Sequence, residues 1–268
     1  MMMKKLMALA MVCMLVLTSL AFAEGDGSVA KIVEKGTLIL GLDDTFPPMG
    51  FRDEDNNIVG FDIDVALEVA SRLGVELVAQ PISWDAKELE LSSGNIDCIW
   101  NGLSITEERQ ASMSMTFPYL NNQIVVYVKA DSGIATLDDL AGKVLGVQNG
   151  SYALELLEGD YSAVAEASAE VLGYDDYLTA LMDLRQGGCD AVLMDLVVGD
   201  YYITGIGADD ITPVCALEDD LYGVAFRKED VELCAKVEEI LIEMKKDGTL
   251  AAIAEGWFGS DITVVPVE

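Results

Sequence analysis

The stretch Cys98-Ile99-Trp100-Asn101-Gly102-Leu103-Ser104-Ile105-Thr106-Glu107-Glu108-Arg109 decides how the rest of this chain is read. An apolar run that reaches Asn-Gly is expected to leave its sheet there, because glycine weakens a strand and the pair marks a turn. Thr106 followed by Glu107 and Glu108 is a helix start, with a hydroxyl cap and acids against the positive helix end. The segment therefore reads as strand, loop, short helix. That puts residues 101–104 at the carboxyl end of a strand, where open α/β sheets bind small ligands. Arg109 would turn a planar fork of donors toward the same place, and two parallel hydrogen bonds from such a fork suit a carboxylate. Taken alone, the stretch favours a plainer reading, in which Arg109 pairs with Glu107, Glu108 or another surface acid.

Upstream, residues 37–41 form a compact apolar strand that ends at Gly41. The loop 42–49 follows, and its two prolines forbid helix or ladder pairing, so it is a rigid loop at a strand end. It brings Asp43 and Phe46 to the same mouth as Asn101; a turn-forming aspartate and a packing phenylalanine are equally good readings. Residues 51–58 predict a hairpin, and Gly60-Phe61-Asp62-Ile63-Asp64 opens a helix whose apolar stripe runs through Ala66, Ala70 and Leu73 to Gly74. A strand over 75–81 and a helix start at Ser83-Trp84-Asp85 come next. Trp84 at that edge either packs or stacks on a ligand, and Trp100 inside its strand reads as core. Repeated strand and helix with short connections predicts an α/β fold, a mostly parallel sheet covered by helices.

Downstream, the apolar strand 123–129 leads into a second unit that restarts the alternation. A strand over 143–147 feeds the loop Gln148-Asn149-Gly150-Ser151-Tyr152 and then a helix, so Ser151 and Tyr152 present backbone N–H groups that suit an anion or simply cap a turn. The helix 175–186, Gly187-Gly188-Cys189-Asp190 and the strand running into Asp195 echo the first unit's helix, Gly94-Asn95-Ile96-Asp97 and strand. Two similar lobes would each present a strand end to a shared cleft. An acid at one such end and an arginine near the other complement a zwitterion, although Asp195 could instead cap a helix over 196–203. Strands over 211–217 and 222–227 return to the first lobe, an amphipathic helix covers 231–246, and a last helix covers 250–257, with Trp257 and Phe258 expected in the core.

Composition excludes several functions. There are 16 basic and 47 acidic residues, a net charge of −31, which repels nucleic acid and anionic lipid. No histidine is present, so a serine-histidine or cysteine-histidine pair and the commonest transition-metal ligand are missing. No catalytic residue, metal ligand or cofactor is expected. Met1-Met2-Met3-Lys4-Lys5, an apolar stretch to Leu20 and Ala21-Phe22-Ala23 predict a signal peptide over 1–23, with simple cleavage favoured over lipidation at Cys13, which follows the branched Val12. Cys98, Cys189, Cys215 and Cys234 then remain. Cys189 with Cys215 is the one pairing worth considering, and buried free thiols are the better reading.

Gly60-Phe61-Asp62-Ile63-Asp64-Val65, with Val69-Ala70 and Leu73, resembles the signature of extracellular solute-binding proteins for polar amino acids, the family 3 binding proteins of ABC transporters. Further similar pieces are DDTFPPMGF at 43–51, GNIDCIWNGLSITEER at 94–109, GKVLGVQNGS at 142–151 and KKDGTLAAIAEGWFG at 245–259. The resemblance implies a two-lobed type II clamp of α/β lobes joined by two hinge strands, with lobe 1 at 24–125 plus 217–268 and lobe 2 at 126–216. It implies a monomer, exported to the periplasm or the outer face of the cell membrane, that captures a free L-amino acid, polar or cationic, for the membrane permease of an ABC importer. Arg109 would clamp the carboxylate, helped by N–H groups of Ser104, Ser151 and Tyr152. Asp195 and the Ser104 hydroxyl would accept from the α-ammonium, with a carbonyl from Gly102. Phe46 and Trp84 would sandwich the side chain, and Asp43, Asn101 and Gln148 would face its far end. Asn101-Gly102 stands where the family usually has Ser-Gly or Ser-Ser. Some members of this fold are dehydratases of small carboxylates, which gives the alternative of an enzyme.

Overall fold

The structure is a computed structural model that describes residues 25–267. The expected signal peptide lies outside the described residues. The elements run α1 (Ser28–Lys35), β1 (Thr37–Leu42), β2 (Thr45–Phe46), β3 (Gly50–Arg52), β4 (Ile58–Val59), α2 (Phe61–Leu73) and β5 (Glu76–Pro81). A 3-10 turn (Trp84–Ala86) precedes α3 (Lys87–Ser92), β6 (Cys98–Ser104), α4 (Glu107–Ser112), β7 (Met113–Met115) and β8 (Leu120–Lys129). The second unit holds a 3-10 turn (Leu137–Leu140), β9 (Val144–Gln148), α5 (Tyr152–Glu158), α6 (Ser162–Ala167), β10 (Glu170–Tyr174), α7 (Tyr177–Gln186), β11 (Ala191–Asp195) and α8 (Leu196–Ile206). The chain closes with β12 (Ile211–Arg227), α9 (Val231–Asp247) and α10 (Thr249–Phe258).

Strands of both units join in one sheet, in the order β10-β9-β11-β8-β12-β6-β1-β5, with β7 also on β12. β1 is parallel to β5 and β6, and β9 is parallel to β10 and β11. Between these parallel blocks run β8 and β12, antiparallel to each other from Ile211 beside Lys129 to Tyr222 beside Leu120. This pair carries the chain from one lobe to the other, and the expected boundaries at 125/126 and 216/217 fall inside it. Strand alternation covers both faces. Ala191 and Leu193 of β11 pack with Leu156 and Leu157 of α5, whereas Val192 and Met194 pack with Leu181, Leu184 and Val198 in the core that continues into the first lobe. In β6, Trp100 joins that larger core while Ile99 and Leu103 face a smaller one with Trp84 and Met113.

Four expectations need correction. The strand expected to stop at Asn101 continues to Ser104, because β12 pairs with it through Tyr222 beside Ser104; the Asn-Gly pair is absorbed as an irregular step in that ladder. The two strands expected over 211–217 and 222–227 are one strand, whose bulges between Pro213 and Cys215 and between Ala216 and Glu218 bend it without ending it. β10 and α6 were not expected, since residues 162–174 lack a clean apolar period. Trp257 is only half-buried, and its indole N–H donates to Asp64 Oδ2 at 2.8 Å. The hairpin turning at residues 55–57 is present, and among the described residues Cys98, Cys189, Cys215 and Cys234 are free thiols.

Candidate functional site

Arg109 is fixed from its own helix start. Thr106 caps α4 and accepts from the Arg109 backbone N–H at 3.2 Å, and the side chain returns to the end of β6. There Arg109 is 4% exposed, and its guanidinium donates through Nη1 to the Ser104 carbonyl at 2.9 Å. Its Nη2 donates to Glu155 Oε1 of the opposite lobe. Glu155 lies in the first turn of α5, whose cap is Ser151, accepting from Leu154 N–H at 3.2 Å. Arg109 Nε has no protein partner.

A chain of side chains leads from Arg109 to Asp195. Ser104 Oγ donates to Asp220 Oδ2 at 3.0 Å, Asn122 Nδ2 donates to Asp220 Oδ2 at 2.9 Å and to Asp195 Oδ1 at 2.7 Å, and Tyr222 OH donates to Asp195 Oδ1 at 2.6 Å. Asp195 occupies the cap position of α8 yet makes no capping bond. Burial, then the neighbouring Asp220 charge, pushes its carboxyl up to about 7; burial likewise raises Asp220. The Ser104 hydroxyl donates to Asp220 here, and its oxygen keeps lone pairs that can accept a further hydrogen bond.

Phe46 and Trp84 face each other with ring centres 6.5 Å apart and planes 16° from parallel, and Tyr177 lies 6.1 Å from Phe46. Gly102 is required beside them. Its φ is +55°, and a Cβ there would stand 2.6 Å from Phe46 Cε1. Asp62 holds this backbone by accepting from Gly102 N–H at 2.8 Å and from Tyr119 OH at 2.8 Å. Complete burial lifts Asp62 to about 7. Lys87 Nζ lies 5.1 Å from the centre of the Trp84 ring and donates to the Gly150 carbonyl of the opposite lobe at 2.7 Å. Burial, then the positive charge of Arg109, lowers its pKa.

Beyond the aromatic rings stands Asp43, at 8% exposure, accepting on Oδ1 from Thr45 N–H at 2.9 Å and Thr45 Oγ1 at 2.6 Å, and on Oδ2 from Gln148 Nε2 at 2.7 Å. Burial raises its pKa. Asn101 Oδ1 accepts from Asp43 N–H at 3.1 Å. Gln148 Nε2 also donates to the Asp175 carbonyl at 3.0 Å. Asn101 Nδ2 and Gln148 Oε1 remain buried without a protein partner.

The structure therefore brings Asp43, Phe46, Trp84, Asn101, Gly102, Ser104, Arg109, Gln148, Ser151 and Asp195 into one band where the lobes meet, with Tyr152 at its outer edge beside Glu155. Sequence reasoning missed Asn122, Asp220 and Tyr222, which lie on β8 and β12, and the cross-lobe partners Glu155 and Lys87. No local signal marks Asn122 and Asp220, which sit within the polar runs Asn121-Asn122-Gln123 and Glu218-Asp219-Asp220 of the hinge strands. Among the described residues no cluster of acids and cysteines is spaced to hold a metal ion, and no helix is long and apolar enough to cross a membrane.

The chain that carries these residues is similar along most of its length to known proteins. The L-cystine-binding protein TcyJ of Escherichia coli strain K12 is 36% identical over 91% of this chain and 90% of its own length. The ABC transporter arginine-binding protein 1 of the same strain is 30% identical over 81% of this chain and 89% of its own. An ABC uptake transporter substrate-binding protein from Streptococcus pneumoniae, solved with bound histidine, superposes with a TM-score of 0.86 at 37% identity, over 90% of this chain and 99% of that one. Residues 38–260 match one family throughout, and the chain belongs to it: the bacterial extracellular solute-binding proteins, family 3.

Proposed function

We propose that this protein captures one free amino acid between its lobes and delivers it to the permease of an ABC importer, acting as an exported monomer in the periplasm or on the outer face of the cell membrane. The lobes are residues 24–125 with 217–268, and residues 126–216. The supporting observation is the path Arg109–Ser104–Asp220–Asn122–Asp195, which sets a buried cation and a buried anion in register across one cleft. Arg109 clamps the α-carboxylate, displacing Glu155. Asp195, with Asp220 and the Gly102 carbonyl, accepts from the α-ammonium. The ring spacing of Phe46 and Trp84 is near that needed for a flat or slender side chain to lie between them. Ser151 and Tyr152 deliver α5 to the carboxylate end, and Asp43, Asn101 and Gln148 meet the far end of the guest. Relatives named for cystine and arginine, and a neighbour with bound histidine, support a polar or cationic guest.

A thermal-shift panel of the free amino acids tests this. A guest present at a hundred times its dissociation constant raises native stability by about 2.7 kcal/mol, because only the folded clamp binds it. At least one amino acid should produce a clear shift. A flat response to the whole panel ends the proposal.

The elevated pKa of Asp195 favours a second reading, since a carboxyl titrating near 7 is what a dehydratase would use as an acid. Incubation with a prephenate-like acid separates the two. Turnover lost in Asp195→Asn supports the enzyme, and an unchanged substrate dismisses it.

A further inference from the structure

The two unpaired amide atoms beside Asp43 define the guest more closely than its charge does. Both amide orientations are set by neighbours. Asn101 uses its oxygen for the Asp43 N–H at 3.1 Å, so its free atom is the nitrogen, a donor. Gln148 uses its nitrogen twice, for Asp43 Oδ2 at 2.7 Å and for the Asp175 carbonyl at 3.0 Å, so its free atom is the oxygen, an acceptor. Asn101 is 0% exposed and Gln148 1%, so neither free atom reaches bulk water. A buried polar atom left without a partner is costly, and a guest that supplies the missing partner gains that difference.

Resting on the reading of the cleft as an amino-acid site, we propose that its far end selects a guest whose terminal group carries a hydrogen-bond acceptor beside a donor. The acceptor meets Asn101 Nδ2 and the donor meets Gln148 Oε1. A carboxamide, a ureido group or the ammonium-carboxylate head of a double amino acid has this chemistry. A guanidinium or an ammonium does not, because each offers only donors and would set N–H against N–H at Asn101. Asp43 does not reverse the preference. It already accepts three hydrogen bonds, from Thr45 N–H, Thr45 Oγ1 and Gln148 Nε2, and so acts as the fixed support of both amides rather than as a bare anion waiting for a cation.

L-Citrulline and L-arginine provide the test, since they match in length and shape and differ in exchanging an acceptor oxygen for a donor nitrogen. Isothermal titration of the full-length mature protein should find citrulline bound at least about tenfold more tightly than arginine. L-Glutamine and L-cystine, compared with L-ornithine and L-lysine, show whether a simple amide or a second amino-acid head is the better terminus. Asn101→Asp replaces the free donor with an acceptor at constant size and should invert the order toward arginine. Arginine binding as well as or better than citrulline in the unmutated protein overturns the inference, whatever becomes of the variant. Binding of none of these six overturns it too. The broader reading of amino-acid capture fails only when every amino acid of the larger panel fails, so the two failures are distinct.

Discussion

The guanidinium of Arg109 and the carboxylate of Glu155 meet across the cleft, one from lobe 1 and the other from the first turn of α5 in lobe 2. Arg109 is buried, whereas the Glu155 side chain is 35% exposed. If Arg109 clamps a guest as proposed, Glu155 stands in for the guest's carboxylate, and it fastens the lobes together while it does so. A guest must exchange one carboxylate for another at the same fork.

Glu155→Gln should therefore bind its amino acid more tightly. An ion pair with one partner open to solvent is worth about 0.2–1 kcal/mol, so the gain is a few-fold at most. The ligand-free variant should melt slightly lower, because the same contact holds the lobes closed. Titration calorimetry beside thermal melting checks both signs. Weaker guest binding in the variant would mean that Glu155 assists the guest and does not compete with it.

Arg109→Ala should have the opposite and larger effect. It leaves the carboxylate of the guest buried with no fork to receive it, a loss of about 2–5 kcal/mol in binding. Ligand-free folding should survive, since Thr106 caps α4 through the backbone N–H of residue 109 and not through the side chain. Unchanged affinity would remove Arg109 from the site.

These two residues also show what the sequence could and could not reveal. The helix start at Thr106 is a local signal, so the cap was readable from four consecutive residues, whereas the same residues favoured a surface ion pair for Arg109 and did not reveal its burial. Asp195 was readable as a strand end, but capping and ligand roles look identical in sequence; only the structure shows that it makes no capping bond and accepts from Asn122 and Tyr222 instead. Glu155 was invisible for a different reason. It lies 46 residues from Arg109, and nothing local in α5 marks Glu155 rather than Glu158 as the acid that crosses the cleft. Asn101-Gly102 was misjudged as a strand end because a turn-forming pair was weighed without its partner strand, and tertiary pairing with β12 overrode the local preference.

Stability of the ligand-free protein should depend on pH through Asp195. Its carboxyl sits near 7 when folded against a usual value of 3.8, so between those limits the folded state holds a proton that the unfolded chain has released. Stability is then greatest at the acid end of this window, falls as pH rises through it, and levels off above about 7. Asp62 has the same sign and also sits near 7, so it adds to the slope. In Asp195→Asn the decline should be shallower but still present, and the variant should be the more stable protein at pH 8. Guest affinity runs the other way in the unmutated protein, since the α-ammonium needs the ionised carboxylate, and it should rise as pH passes 7. Parallel melting curves at pH 5 and pH 8 test the first part; a pH series of titrations tests the second.

Closure should be most sensitive at Gly150. Its φ is +68°, and a Cβ there would stand 2.6 Å from the Asp85 Cα of the opposite lobe, backbone that cannot move aside as a side chain would. Gly150→Ala introduces two separable costs. The left-handed backbone costs about 1–2 kcal/mol in open and closed forms alike, which lowers the melting temperature without touching affinity. The clash with Asp85 exists only when the lobes meet, and it also lifts the Gly150 carbonyl from Lys87 Nζ. That second part falls wholly on the liganded state. Affinity should drop by more than the melting curve accounts for, and small-angle scattering at saturating ligand should retain a larger radius of gyration than the unmutated protein has. A variant that melts lower yet closes and binds normally would show that the lobes meet in the bound form with residues 85 and 150 further apart than they stand here.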